Sequence, residues 1–302
     1  MGKIFYSDDY VSAKYAFDTT RKSAEIAKAL DGMGIRTDEP VYSHEEADAI
    51  IAAAVDRGYI EDLQEGPNSR WTNQAESNGF DWCENMYNMA RAHTNGTVSA
   101  AVEALTTGGI HGSLSSGAHH ADHEGGYGFC TLNSLAIAAN HLIKRFPSRC
   151  SKILIIDLDD HNGGGTVRQL RHLGIDDVVH QVDISTNRFD YYENDEHHHL
   201  HVAEDRLDYF LLLDELLMHQ SLNKDNYDFV FYNAGTDPSP GFMDQAYLKV
   251  RDELVFKRME ALGIPCAYIL AGGYTLGQTM EELVQAHVNT VEMALEHDTL
   301  YA

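Results

Sequence analysis

The chain has 302 residues, 43% of them hydrophobic, which is enough to bury a large core; six prolines and no Gly/Ser-rich stretch leave no linker, so one domain over 1–302 is expected. The formal charge of −25 comes from 47 acids against 22 bases. With no basic run to meet phosphates, it argues against nucleic acid or an anionic membrane as partner.

In chain order, Ile4-Phe5-Tyr6 reads as a short opening strand. Residues 19–30 have helical spacing, with only Arg21, Lys22 and Lys28 as bases. Ser43-His44-Glu45-Glu46 is a capping box, and the spacing predicts a helix over 47–55 ended by Gly58. Residues 60–80 are polar and rich in turn formers, and read as a long surface loop. A helix over 82–105 is ended by Gly108-Gly109, and 132–142 is apolar almost all round, as in a buried helix.

The run Lys152-Ile153-Leu154-Ile155-Ile156-Asp157 is continuous and apolar, as expected of a central parallel strand covered on both faces. Residues 178–184, 228–232 and 265–270 repeat the theme, each followed by polar or glycine residues and a helical stretch. The alternation predicts an α/β fold, a mostly parallel sheet with helices on both faces. Ligands of such sheets bind beyond the carboxyl ends of the strands. A last helix over 280–296 is expected to cover the sheet.

Those carboxyl ends carry the chemistry-bearing residues. After 152–156 come Asp157, Asp159 and His161, at alternate positions of an extended segment and so on one side of it. A carboxylate and an imidazole converging there suit a zinc-type ion, with Asp157 behind to orient a neighbouring histidine. His119-His120 lies in a glycine-bounded loop, in the pKa range of proton transfer near neutrality. Asn233-Ala234-Gly235-Thr236-Asp237 follows 228–232, with Asp244 beyond it. Ala271-Gly272-Gly273-Tyr274 follows 265–270, and places a phenol where it can donate a hydrogen bond. Taken singly, each segment also reads as an ordinary acidic or capping loop; their common position is what singles them out.

The segments GAHHADHEGGYGFCTLNSLAIAANHL, KILIIDLDDHNGGGT, FYNAGTD, RDELVF and ILAGGYT resemble, in order, the zinc-dependent histone deacetylase family of the arginase–deacetylase fold. AGTD followed by RDELVF is most similar to its class IV branch, and the resemblance covers about residues 100–275. It implies hydrolysis of an acylated amine, either acetyl- or longer acyl-lysine or an acylated polyamine, with Zn²⁺, or Fe²⁺ in its place. Asp159 and His161 match two metal ligands, and His119 and His120 the tandem catalytic histidines. Asp157 matches the acid paired with the first histidine, and Tyr274 the carbonyl-polarising tyrosine. Gly128 and Phe129 match the wall of the acyl tunnel.

Three positions depart from the family pattern. Phe242 occupies the place of the third ligand, so Asp244 is expected to be rerouted into it, with Asp237 as the fallback. Gly164 stands where the family has Asp or Asn bonded to the second histidine, which would lose its orienting partner unless water or another residue substitutes. Ala118 stands where glycine is usual, and its methyl group would narrow the site.

Glu196-His197-His198-His199-Leu200-His201, in a loop with the acidic, aromatic segment 189–195, offers a second metal site or a rim of the substrate channel, but reads more simply as a solvated loop. Two other functions compete with the hydrolase. One is an impaired acyl-lysine-binding module, motivated by Phe242 and Gly164. The other is a ureohydrolase, which shares the fold but needs an acid where Gly163 stands. Cys83, Cys130, Cys150 and Cys266 form no CxxC pair, and the chain opens on MGKIFYSDDY with no apolar leader. Reduced thiols, a cytoplasmic location and no membrane span are therefore expected.

Overall fold

The computed structural model describes residues 2–13, 20–71 and 73–298; Thr19, in the first expected helix, lies outside them. Among the described residues, one seven-stranded parallel sheet runs in the order β1-β2-β7-β6-β3-β4-β5. Its strands are β1 (Ile4–Phe5), β2 (Ile110–Ser113), β3 (Ile153–Asp157), β4 (Val179–Ser185), β5 (His198–Val202), β6 (Phe229–Asn233) and β7 (Cys266–Ile269).

The central strands are apolar on both sides because both sides are covered. Leu154, Ile156, Val230, Tyr232, Cys266 and Tyr268 face one core. The alternate residues Ile153, Ile155, Phe229, Phe231, Ala267 and Ile269 face the other. The first core is closed by α1 (Lys22–Gly32), α7 (Arg206–Met218), α8 (Gln245–Leu262) and α9 (Met280–His297). The second is closed by α4 (Met86–Thr107), α5 (Ser134–Arg145) and α6 (Gly164–Leu173).

Two readings are corrected. The expected loop over 60–80 holds α3 (Arg57–Glu65), which follows α2 (His44–Ala52), and two 3-10 turns. Gly58 lies inside α3 instead of ending a helix, because Asp56 caps the new start by accepting from the Gly58 and Tyr59 amides. The histidine tract is the edge strand β5, where buried His198 and Leu200 alternate with exposed His199 and His201.

His93 in α4 ties the N-terminal segment to the loop after β2. Its Nε2–H donates to the Tyr10 carbonyl (2.9 Å), and its Nδ1 accepts from the Ser116 amide (3.2 Å), an arrangement open only to the neutral ring. Burial pushes its pKa down to about 4. The folded value is thus depressed, the unfolded chain binds the proton more tightly, and stability falls as pH drops from about 6.5 toward 4. In urea unfolding, the loss between pH 7 and pH 4.5 is expected to be about 2 kcal/mol smaller in His93→Gln than in the parent chain. Equal losses in the two proteins would refute this account.

Candidate active site

Strands β2, β7, β6 and β3 are consecutive neighbours in a parallel sheet, so the loops at their carboxyl ends emerge side by side. Together with the loop after β4, they enclose a cavity of about 180 Å³. It is lined by His119 and His120 from the first loop, Asp159 and His161 from the β3 loop, Asp237 from the β6 loop and Tyr274 from the β7 loop. Gly128, Phe129 and Phe189 form its walls. All the expected site residues on these loops therefore meet, except Asp157, which stands behind the wall, and Asp244.

Three potential metal-ligand side chains converge in the cavity. One donor atom from each of Asp159, His161 and Asp237 lies within 4.8 Å of the other two. His161 Nδ1 is 3.1 Å from Asp159 Oδ1 and 3.2 Å from Asp237 Oδ2. Both carboxylates are buried, with side chains 2% and 6% exposed. Two carboxylates this close repel each other: burial and the Asp159 charge push the Asp237 pKa up, and a cation beside them relieves the repulsion. His161 responds to the same charges: burial would lower its pKa, but the hydrogen bonds and charges of Asp159 and Asp237 draw it up to about 11. A buried place that attracts positive charge through one nitrogen and two carboxylate donors fits a zinc-type ion.

Asp244 is not part of this group. It is the N-cap of α8, where its Oδ1 accepts from the Ala246 and Tyr247 amides. Residues 238–243 carry the chain away from the cavity to this cap, and Phe242 packs beside Tyr209 in the first core. Asp237, the fallback, stands with Asp159 and His161 instead, and its carboxylate also accepts from the Gly273 amide.

The histidines are held from behind. His119 Nδ1–H donates to Asp157 Oδ2 (2.7 Å), while Asn233 Nδ2 (2.9 Å) and the Asp159 amide (3.1 Å) fix the other Asp157 oxygen. The Nε2 atoms of His119 and His120 are 3.1 Å apart, so one proton can be shared between them. Burial opposes charge on both rings. The Asp157 and Asp159 carboxylates nevertheless hold His119 up at about 9, whereas burial and the neighbouring His119 push His120 down to about 4. One ring thus carries a proton near neutral pH while the other stays neutral. Burial, then Asp237 and Asp159, raise the Tyr274 phenol above its ordinary value and keep it a hydrogen-bond donor.

Ala118 lines the cavity with a left-handed backbone, φ 51°, which costs an alanine about 1 kcal/mol and accounts for the usual glycine there. Gly128 has φ 52°, and a Cβ on it would lie 2.6 Å from the His120 ring, so the wall can approach the histidine only as glycine.

Three residues escaped the sequence reading. Lys22 opens α1 and looks like a surface base, yet it is 2% exposed and its Nζ donates to the Gly272 carbonyl. Burial lowers its pKa to about 8, against the pull of Asp237 and Asp159. Phe189 and Asp190 lie in the acidic, aromatic segment that reads as a solvated loop or as a rim of the substrate channel, and Phe189 does line the cavity. Phe189 meets the His120 ring edge-on at 4.9 Å and stacks on Tyr127 at 5.1 Å. Asp190 supplies the partner that Gly164 lacks: His120 Nδ1–H donates to its Oδ2 (3.0 Å). Gly164, by leaving a partner to be found, was the one available signal.

The histone deacetylase domain family model matches residues 16–291. An uncharacterized protein of Picosynechococcus is 30% identical over 231 residues, covering 69% of this chain and 70% of that protein. Histone deacetylase 2 of Arabidopsis thaliana is 32% identical over 197 residues, 61% of this chain, which spans about half (49%) of that relative. Among solved structures, the acetylpolyamine aminohydrolase of Burkholderia pseudomallei superposes with a TM-score of 0.76 over 99% of both chains, at 17% identity, a likeness of fold.

Proposed function

The chain belongs to the histone deacetylase family, and from that premise we propose that it is a metal-dependent hydrolase removing an acyl group from an amine, with Asp159, His161 and Asp237 as the metal ligands. The observation that carries the reading is the convergence of those three donors on the cavity that the twin histidines and Tyr274 also line. We read residues 1–302 as one catalytic domain, because the ligands, the histidines and the phenol come from loops of one sheet.

When bound, a zinc-type ion supplies Lewis acidity, polarising a carbonyl and making water a stronger acid. The protein does the rest. His120, neutral at physiological pH, takes the proton from the attacking water. His119, held protonated by Asp157, returns one to the leaving amine, and the short Nε2–Nε2 distance lets the pair exchange it. Tyr274 donates its O–H to the oxygen on which negative charge develops. Gly128, Phe129 and Phe189 exclude water and confine an extended aliphatic chain.

The substrates we infer are acetyl-lysine, longer acyl-lysine or acylated polyamine. The overall charge favours a cationic amine carrier, and the class IV likeness of AGTD and RDELVF keeps long acyl chains in the set. Zinc is the metal inferred first, with iron as the alternative. The four cysteines, free among the described residues, suit a reducing cytoplasm. No described helix is long and apolar enough to cross a membrane.

Lysine peptides with acyl groups of increasing length, and acetylated polyamines, assayed beside zinc content, test the proposal. We expect turnover of at least one substrate with one zinc per chain, and a drop in kcat of about 100-fold or more in Tyr274→Phe. A zinc-loaded chain that binds acyl-lysine peptides and hydrolyses none of these substrates would instead be a binding module.

A further inference from the structure

Resting on the hydrolase reading, we propose that Asp190 is the positioning residue of His120, replacing from the β4–β5 loop the carboxylate that position 164 does not carry. Its carboxylate is 4% exposed and fixed by three donors. Oδ2 accepts from His120 Nδ1 (3.0 Å) and the Gly165 amide (2.9 Å), and Oδ1 accepts from Arg168 Nη1 (2.7 Å). Arg168 Nη2 also reaches the His120 carbonyl (3.3 Å), so one guanidinium grips both members of the pair.

Gly164 and Asp190 are sterically reciprocal. A Cβ on Gly164 would lie 2.3 Å from the Asp190 carbonyl oxygen and 2.7 Å from its Oδ1. A side chain at 164 and an acid at 190 in this place exclude each other. The loop is also held in an uncommon conformation. Asp190 has φ 57°, a left-handed backbone uncommon outside glycine but adopted by aspartate more readily than by most residues, and its surroundings hold it there. The surroundings here are the three donors and Asn162, whose Nδ2 (2.6 Å) and amide (3.0 Å) both donate to the carbonyl of the preceding Phe189. One loop therefore sets both the wall of the acyl cavity and the orientation of the imidazole beside it.

Asp190 also caps α6 from a distance, since the N-cap residue Gly163 has no side chain to do so. A purely capping role predicts a stability loss alone, and the experiment separates the two roles. Zinc-loaded full-length Asp190→Asn and Asp190→Ala are compared with the parent chain on acetyl-lysine peptide and on its best longer acyl homologue. Zinc content, thermal stability and the His120 Nδ1–H resonance of ¹⁵N-histidine-labelled protein are measured alongside. Asp190→Ala is expected to lower kcat about 100-fold, the lower end of general-base contributions, with zinc retained and KM within about twofold. Asp190→Asn keeps an acceptor but not the charge and should recover about tenfold of that. The resonance should move upfield in both.

A kcat within about twofold of the parent in Asp190→Ala, with the resonance unmoved, overturns the proposal. So does a kcat loss that only follows lost zinc or lost folded protein in both variants. The resonance is read without turnover. A parent chain that hydrolyses nothing would therefore defeat the hydrolase reading, while the resonance still decides whether Asp190 holds His120.

Discussion

Asp237→Asn is expected to weaken zinc binding by about 100-fold or more, a ligand's loss costing at least as much as the upper end of what its outer partners contribute. Asp244→Ala should leave affinity and stoichiometry unchanged. Asparagine preserves the shape of the side chain and an oxygen facing the Gly273 amide. What disappears is the second carboxylate beside His161, and with it part of the attraction that holds a cation there. Asp244, by contrast, is spent on the α8 amides, and its removal should cost about 1 kcal/mol of stability through the lost cap. Competition with a chromophoric chelator measures the affinities, and metal analysis after dialysis gives the stoichiometry. Zinc loss from Asp244→Ala, or undiminished affinity in Asp237→Asn, would return the third ligand to the position first expected from the sequence.

Arg251→Met is expected to be the most damaging single change outside the cavity, lowering stability by about 3–5 kcal/mol, the usual cost of orphaning a buried charge. The guanidinium is fully buried, with Nε on Asp252 Oδ1 (2.8 Å) and Nη1 on the carbonyls of Leu158 (3.0 Å) and Gly235 (2.6 Å). Asp252 in turn accepts from the Tyr232 and Thr290 hydroxyls. Removing the cation strands a buried carboxylate and frees two carbonyls that stand just before Asp159 and two residues before Asp237. The two ligand-bearing loops lose their common anchor, so zinc affinity should fall with stability. Arg251→Met/Asp252→Leu separates the effects: removing both charges should restore most of the stability but not the affinity, because the carbonyl anchors remain missing. Urea unfolding and chelator competition on the two variants check this, and a single variant within about 1 kcal/mol of the parent would refute it.

Much of the fold could be read in advance because its cause is local. Continuous apolar runs within 152–156, 228–232 and 265–270 mark strands covered on both faces, and Ser43 and Glu46 cap α2 by contacts three residues apart. Local signals failed where pairing with distant chain decides the outcome. β2, with its Ile-His-Gly-Ser, is a strand because β1 and β7 flank it. β5 is one because β4 pairs with it, and its period of two is hidden by histidine on both faces.

At the site, local residue order is enough to say which chemical groups are present and at which strand ends: the Asp159/His161 pair, the twin histidines and Tyr274. Spacing within each segment fixes those positions, and strand order brings the segments together. Packing between distant segments is what places Asp237 beside Asp159 and His161, sets Asp190 against His120, and buries Lys22 and Arg251 beneath the loops. Each of those outcomes is a distance between residues far apart in the chain. A carboxylate has the same chemistry at 190, 237 or 244, and only the packed fold settles which cation or imidazole lies within about 3 Å of it.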